Sequence, residues 1–151
     1  MIVSDSTTII ILSNFDRFEL LSNIFPKIII PQAVYEELNA KVKADLPPFI
    51  EVKDVGSSKL LDELKLLLDV GESEAIALAL ELKSPLIIDE RKGRKIAINM
   101  GLTITGLLGI VYLNVKKSFI SKKEAKEFLD SAIADGYRIS RLLIDDMLKR
   151  V

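Results

Sequence analysis

Short, wholly apolar runs alternate along the chain with longer segments in which apolar and polar positions are mixed. The runs at 1–4, 27–30 and 86–88 are dominated by Ile, Val and Leu and end at prolines or acids, a pattern typical of buried strands. Residues 103–105 predict a fourth short strand, and residues 50–52 predict a strand or an extended connector. Strands that are apolar throughout and alternate with helices indicate a parallel sheet covered on both faces.

The mixed segments carry helical periodicity. Apolar positions three and four residues apart predict helices over 6–13, 15–25, 31–42, 60–68, 71–82, 92–100, 107–117, 121–135 and 140–149. Ser121 and Glu124 have the spacing of a capping box at the start of one of them. We therefore predict an α/β fold, a single three-layer α/β/α domain over 1–151. Its central parallel sheet has four to five strands, and the C-terminal helices, about 121–150, form an extension.

Composition narrows the chemistry that such a domain could perform. The 151 residues are 49% hydrophobic and 28% charged, as expected for a globular protein, and they contain neither Cys nor His. Thiol nucleophiles, thiolate metal sites and imidazole catalysis are therefore excluded. Any catalysis must use carboxylates, Lys, Arg, Tyr, hydroxyl groups or a cation with oxygen ligands, for which Mg²⁺ and Mn²⁺ are suited.

Apolar runs in this chain are short. The longest, at 107–113, is far shorter than the ~20 residues that span a bilayer, and residues 1–5 lack the basic start of a signal peptide. We expect a cytoplasmic protein without a membrane partner.

Charge is unevenly distributed, although the net charge is only −1. Residues 91–126 contain nine Lys or Arg and one acid, a net charge of +8, against −9 for the remainder. This distribution is compatible with a polyanionic partner that binds to the basic stretch while carboxylates elsewhere in the chain bind a metal ion. Solvated, Lys-rich helix faces would give the same composition.

Two acids follow predicted strands directly. Asp5 comes after the first strand and Asp89 after the third, which places both at the carboxyl edge of a parallel sheet, where such sheets bind ligands. Each could instead be the N-cap of the helix that follows it.

Two further acids lie on helices that begin near the same edge. Glu37 flanks the buried face of the helix after the second strand, with Glu36 as the alternative. Glu72 lies in the first turn of the helix that begins near Gly71, where the helix N-terminus by itself would stabilise a carboxylate. Spacing does not separate Glu72 from Glu74.

These acids lie in motifs whose order and spacing resemble the PIN-domain family, a ribonuclease fold found in many toxins of toxin–antitoxin pairs. The matching segments are VSDS at 3–6, IPQAVYEEL at 30–38, GESEAIALA at 71–79 and LIIDE at 86–90. The likeness to a prokaryotic PIN-like branch continues through TGLLG at 105–109 and GYRIS at 136–140. The resemblance thus covers nearly the whole chain.

The resemblance implies metal-dependent hydrolysis of RNA phosphodiester bonds. The residues that match the family's acidic ligands for Mg²⁺ or Mn²⁺ are Asp5, Glu37, Glu72 and Asp89. Accessory candidates are Ser6, Glu74, Glu90 and Thr105, and candidate RNA contacts are Arg91, Arg94 and Lys95. Expected partners are RNA, a second copy of the chain in a homodimer, and an antitoxin protein. The alternative is a PIN-fold module that has lost catalysis and binds RNA or a protein.

Overall fold

The sheet at the centre of the molecule has five parallel strands. The structure is a computed structural model that describes residues 1–42 and 45–151. Its strands are β1 (Ile2–Ser4), β2 (Ile28–Ile30), β3 (Ile50–Val52), β4 (Leu86–Ile87) and β5 (Ile104–Thr105). They lie in the order β3-β2-β1-β4-β5, which makes β1 central. The segment 50–52 is therefore a strand and not a connector, since it pairs with β2.

Helices connect the strands and extend the chain beyond the sheet. They are α1 (Ser6–Asn14), α2 (Glu19–Ser22), α3 (Gln32–Lys41), α4 (Lys59–Leu67), α5 (Val70–Leu82), α6 (Arg91–Asn99), α7 (Leu107–Lys116), α8 (Lys122–Ala134) and α9 (Arg141–Lys149). The capping box predicted at Ser121 and Glu124 is present at the start of α8. No helix in the described residues is long and apolar enough to cross a membrane.

Alternate residues of the central strands point to opposite faces of the sheet, where two separate hydrophobic cores form. Ile2 and Ile28 belong to the core that helices α1, α2, α3, α7, α8 and α9 cover. Val3 and Ile29, one residue further along each strand, belong to the core beneath α4, α5 and α6. This alternation is the pleat of a two-sided sheet, and it confirms the predicted three-layer α/β/α fold.

The predicted helix over 15–25 is wrong. Only α2 is helical there, because the chain reverses at Asp16, whose φ is 53°. Asp is one of the few non-glycine residues that adopt this left-handed conformation at low cost. Phe15 and Phe18 still pack against the core, so their apolar spacing reflected burial and not a continuous helix.

The apolar helices α1 and α7 bury most of their apolar side chains in the core. Ile9 and Leu12 of α1, and Leu107, Ile110 and Val111 of α7, are fully buried. Phe128 of α8 and Ile144 of α9 bury side chains in the same core as the strands. The C-terminal helices are therefore part of the same packing unit as the sheet.

Candidate functional site

Asp5 and Asp89 both lie at the carboxyl edge of the sheet. The backbone N–H of Asp5 donates to the carbonyl of Ile87 at 2.9 Å, which continues the pairing of β1 with β4 past their ends. Asp5 is 4% exposed. It stands at the N-cap position of α1, but its side chain makes no capping hydrogen bond. Helix capping therefore does not account for an acid at this position.

The carboxyl group of Asp5 is in an environment that disfavours its charge. Burial raises its pKa to about 7, and the negative charges of Asp69, Glu37 and Asp89 add to the increase, while a hydrogen bond from the Ser6 backbone opposes it. Asp5 therefore lies in a local excess of negative charge.

Glu72 is buried in the first turn of α5, and its Oε2 has no hydrogen-bond partner within the described residues. Burial, together with hydrogen bonding to Asp69 and Glu90, raises its pKa to about 9. The N-terminus of α5 is capped by Asp69, whose Oδ1 accepts from the Glu72 backbone N–H at 2.8 Å. The terminus of α5 is thus capped by Asp69, and the Glu72 carboxyl is not needed as its cap.

The structure separates Glu37 from Glu36. Glu37 is half-buried, and its Oε1 accepts from Lys41 Nζ at 3.1 Å. Its Oε2 lies 3.3 Å from the place that a Cβ on Gly71 would occupy, so it points toward the start of α5. Glu36 is exposed on the same helix. Glu37 is therefore the acid of this pair that the fold directs toward Asp5 and Glu72.

Glu74 and Glu90, two accessory candidates, both cap helices. Glu74 Oε1 accepts from the backbone N–H of Ala33, at the start of α3, at 3.0 Å. Glu90 accepts from the backbone N–H groups of Lys92 and Gly93 at 3.0 and 2.7 Å. Burial opposes the ionisation of Glu90, but its hydrogen bond with Glu72 and the backbone donors hold its pKa below its usual value.

Asp89 is held by three donors from three different segments. The Thr8 hydroxyl donates to Oδ2, the Leu107 backbone N–H donates to Oδ1 at 3.1 Å, and the Tyr137 hydroxyl donates to Oδ1 at 3.2 Å. Burial and the charge of Asp89 raise the pKa of Tyr137, so this hydroxyl stays protonated and donates. The suggested role of Asp89 as a helix cap is wrong, because Glu90 caps α6.

At two positions the backbone passes so close to Asp89 or Glu72 that only glycine fits without displacing the acid. A Cβ on Gly106 would lie 2.6 Å from Asp89 Oδ1, and a Cβ on Gly93 would lie 2.8 Å from Glu72 Oε2. Side chains at these positions would displace the acids, which gives these two glycines a steric role at this edge.

Ser6 and Thr105, the two candidates with hydroxyl groups, make fewer contacts than the acids do. Ser6 is the buried first residue of α1, directly after Asp5. Thr105 ends β5, and its hydroxyl lies 3.5 Å from the Gly106 carbonyl. Neither contact identifies a ligand.

Sequence reasoning missed Asp69 and Tyr137. Asp69 precedes Glu72 by three residues, which is the spacing of an N-cap. Because the helix was predicted to begin at Gly71, Asp69 was not recognised as its cap. Tyr137 contacts Asp89 through tertiary packing that no local pattern reveals.

Arg91, Arg94 and Lys95 are on α6, beside the acids. Arg94 is half-buried, and its Nη1 donates to the carbonyl of Ile88 at 2.8 Å. Arg91 and Arg94 line a cavity of about 550 Å³ that Asp89 also lines. Lys95 is exposed and is not among the residues lining this cavity. The structure thus brings the two arginines, but not the lysine, to the acidic edge.

Oxygen ligands at this edge fit a divalent cation by their chemistry. A buried, unpartnered oxygen on Glu72 and the destabilised charge of Asp5 are both relieved by a nearby cation. Within residues 1–42 and 45–151, no three acids converge into a ready-made metal cage. A cation bound by one or two carboxylates, with water completing its coordination as is usual for Mg²⁺, suits this arrangement.

Comparison with known proteins places the chain in a family. The DUF3368 family, described as a PIN domain, matches residues 1–151. No curated protein matches the chain.

Proposed function

Because the chain belongs to the PIN-domain family, whose fold is of the nuclease type, we propose that it is a metal-dependent ribonuclease. The reaction is hydrolysis of a phosphodiester bond in RNA, in which water adds to phosphorus and a ribose oxygen leaves. The observation that carries the proposal is the buried carboxyl of Glu72, which lies beside the carboxyls of Asp69 and Glu90 and holds its proton with a pKa of about 9. A divalent cation at this position would take the place of that proton.

In this proposal the cation lies at the edge formed by Asp5, Glu37, Glu72 and Asp89, bound directly by one or two of these carboxylates and by the others through water. PIN domains typically use divalent metal ions, and we propose Mg²⁺ or Mn²⁺ for this chain. When bound, such an ion polarises the phosphate and lowers the pKa of water. With a pKa of about 9, Glu72 keeps its proton at neutral pH, while Asp5, with a pKa of about 7, is protonated in about half of the molecules; a bound cation would favour the ionised form of both.

The remaining groups position the acids and the substrate. Thr8, Leu107 and Tyr137 fix both oxygens of Asp89, so this side chain loses little freedom when it acts as a ligand. Arg91 and Arg94 supply positive charge beside the acids, where phosphates of the substrate would lie.

A test of this proposal measures cleavage of long, mixed single-stranded transcripts with Mn²⁺, with Mg²⁺ and with EDTA. We expect cleavage with a divalent ion and none with EDTA. Asp5→Asn and Glu72→Gln should abolish cleavage, while Glu36→Gln, which changes an exposed acid on the same helix as Glu37, should leave it unchanged. Equal cleavage by wild type and Asp5→Asn would contradict the proposed role of Asp5.

A catalytically inactive binding module is the second candidate. It is favoured by the hydrogen bonds of Asp89 to three protein donors and by the ion pair of Glu37 with Lys41, since both acids are stabilised without a cation. In the same assay, divalent-independent RNA binding without cleavage would select this candidate.

The proposal extends to assembly. We propose a twofold-symmetric homodimer and, for a role in a toxin–antitoxin pair, an antitoxin that covers the acidic edge. Exposed leucines on α9, with Leu142 81% and Leu143 54% exposed, support a protein contact. The mass in solution tests the dimer, and a monomer at high protein concentration would contradict it.

A further inference from the structure

A cavity beside Asp89 is built from segments that are far apart in the sequence. Its walls are the start of α6, the turn between β5 and α7, and the segment between α8 and α9. Its lining includes Arg91, Arg94, Leu108, Tyr137, Arg138 and Ile139. Its volume of about 550 Å³ is in the range of ~300–1,000 Å³ that small-molecule sites occupy.

The arginines of the chain divide into two groups of three. Arg17, Arg141 and Arg150 each pair with a carboxylate. Arg91, Arg94 and Arg138 form no ion pair with any described residue, and all three line this cavity. Among the described residues, Asp89 is the one acid in its lining, and its oxygens accept hydrogen bonds from Thr8, Leu107 and Tyr137 and form no ion pair with an arginine. The cavity therefore presents guanidinium groups that have no anion.

Arg94 is held in place by the fold. Its Nη1 donates to the carbonyl of Ile88, directly before Asp89, which leaves the other N–H donors of its guanidinium without a protein acceptor among the described residues. An anchored guanidinium binds phosphate oxygens with little loss of side-chain freedom.

The lining of the cavity also has an apolar and aromatic wall. Leu108, Ile139 and Leu143 line it together with Tyr137, whose hydroxyl donates to Asp89. Guanidinium groups and an apolar, aromatic surface in one cavity suit a ligand that carries both phosphates and a flat ring.

We propose that this cavity, the arginine pocket, holds one unstacked nucleotide of single-stranded RNA next to the bond that is cleaved. This inference rests on the proposed ribonuclease function and specifies its substrate. The arginines bind the flanking phosphates, and the base lies against Ile139 and Tyr137. A nucleotide in an A-form duplex is held within its stack and does not enter such a pocket, so the pocket selects single strands.

The test measures binding of a short, mixed-sequence single-stranded RNA by fluorescence anisotropy in EDTA, where cleavage does not occur. We expect Arg91→Gln and Arg138→Gln each to weaken binding about tenfold and to reduce the salt dependence by roughly one unit per lost phosphate contact. Arg150→Gln, which removes a cation paired with Asp146, is the matched control and should bind as the wild type does.

A second variant separates a pocket from a merely basic surface. Ile139→Ala should weaken binding several-fold without changing the salt dependence, because it removes apolar contact and no charge. Thermal melting shows whether each variant folds, and a folded Ile139→Ala that binds as the wild type does would overturn the pocket. Equal binding of a duplex of the same sequence would overturn the selection of single strands.

Competition assays identify the class of ligand. A nucleoside monophosphate should displace the RNA better than inorganic phosphate does, because only the former contacts the apolar wall. Displacement by an acidic peptide at least as effective as that by the nucleotide would overturn the assignment to RNA in favour of a protein partner.

Failure of this inference differs from failure of the proposed function. The wild type could fail to cleave RNA and still bind single-stranded RNA in EDTA more tightly than the duplex and than the arginine variants do. The nucleotide site would then stand, and only its position beside a cleaved bond would be withdrawn together with the ribonuclease proposal. If the wild type cleaves RNA and the variants of the arginine pocket bind and cleave normally, the pocket falls and the ribonuclease proposal stands.

Discussion

The hydroxyl oxygen of Tyr137 lies 3.2 Å from Oδ1 of Asp89, although 48 residues separate them in the sequence. This hydrogen bond ties the segment after α8 to the acidic edge of the sheet. Its donor remains protonated at neutral pH, because burial and the Asp89 charge raise the pKa of Tyr137. The C-terminal part of the chain therefore helps to position an acid of the candidate site.

Replacing Tyr137 with Phe should loosen Asp89 without removing it. We expect the free energy of unfolding to fall by about 1.5–3 kcal/mol, as for loss of a hydrogen bond to a charged group, and cleavage to slow about tenfold. Denaturant unfolding and the cleavage assay measure the two effects. Normal cleavage by a destabilised Tyr137→Phe would mean that this contact is structural only.

Gly106→Ala should damage the site through a steric clash. The new Cβ would lie 2.6 Å from Asp89 Oδ1, and the extended backbone at Gly106 (φ −133°) adds no strain of its own. We expect a cost of about 1–3 kcal/mol and loss of cleavage. Gly56→Ala is the matched control, because no atom of residues 1–42 or 45–151 lies within 4 Å of its Cβ position. Equal effects of the two substitutions would contradict the prediction.

Neutralising the buried acids should stabilise the metal-free protein. In EDTA at pH 8, Asp5→Asn or Glu72→Gln should raise the free energy of unfolding by about 1–3 kcal/mol, because each removes a carboxyl whose ionisation the fold disfavours. Glu36→Gln should change it by less than about 0.5 kcal/mol. Destabilisation by Asp5→Asn under these conditions would show that the charge of Asp5 is satisfied within the fold.

Asp5 and Glu72 should also make the free energy of unfolding depend on pH. The folded pKa values of about 7 for Asp5 and about 9 for Glu72 exceed the ~4 of unfolded carboxyls, so the folded state retains protons that the unfolded chain releases. Their contribution to stability is full below pH ~4 and is lost as the pH rises through about 7 and then about 9.

Unfolding in urea between pH 4 and 9, without divalent ions, tests this dependence. Wild-type stability should fall relative to that of the double variant Asp5→Asn, Glu72→Gln as the pH rises. A difference that stays constant over the whole range would contradict the raised pKa values.

Glu74 and Glu72 should respond differently to substitution, although two residues apart. Glu74→Ala removes the acceptor for the Ala33 backbone N–H, so it should cost about 0.5–2 kcal/mol and leave metal binding intact. Glu72→Gln should weaken binding of Mn²⁺ and leave α3 unaffected. Calorimetric titration with Mn²⁺ distinguishes the two variants. Weaker Mn²⁺ binding by Glu74→Ala and normal binding by Glu72→Gln would contradict the prediction.

Strands β1, β2 and β4 were predictable because they are apolar runs bounded by prolines or acids, the pattern of strands buried on both faces of a sheet. Residues 50–52 stayed ambiguous because an edge strand with two exposed residues lacks that pattern. The reversal at Asp16 was missed because burial of Phe15 and Phe18 continues the helical spacing after the helix has ended.

The candidate site was predictable only in part. Asp5 and Asp89 follow strands, so the topology by itself places them at one edge. The choice of Glu37 over Glu36 depends on helix orientation, and the cap at Asp69 depends on where α5 begins, and neither follows from spacing. The grouping of Arg138 with Arg91 and Arg94 joins segments that only tertiary packing brings together.

The most direct test of the central claim is the position of Mn²⁺ in crystals of the wild-type protein, located by its anomalous scattering. The account predicts a peak at the carboxyl edge of the sheet, within coordination distance of Asp5 and at least one of Glu37, Glu72 and Asp89, that is absent from Asp5→Asn crystals grown in the same way. A wild-type crystal at saturating Mn²⁺ with no ion at this edge would contradict it.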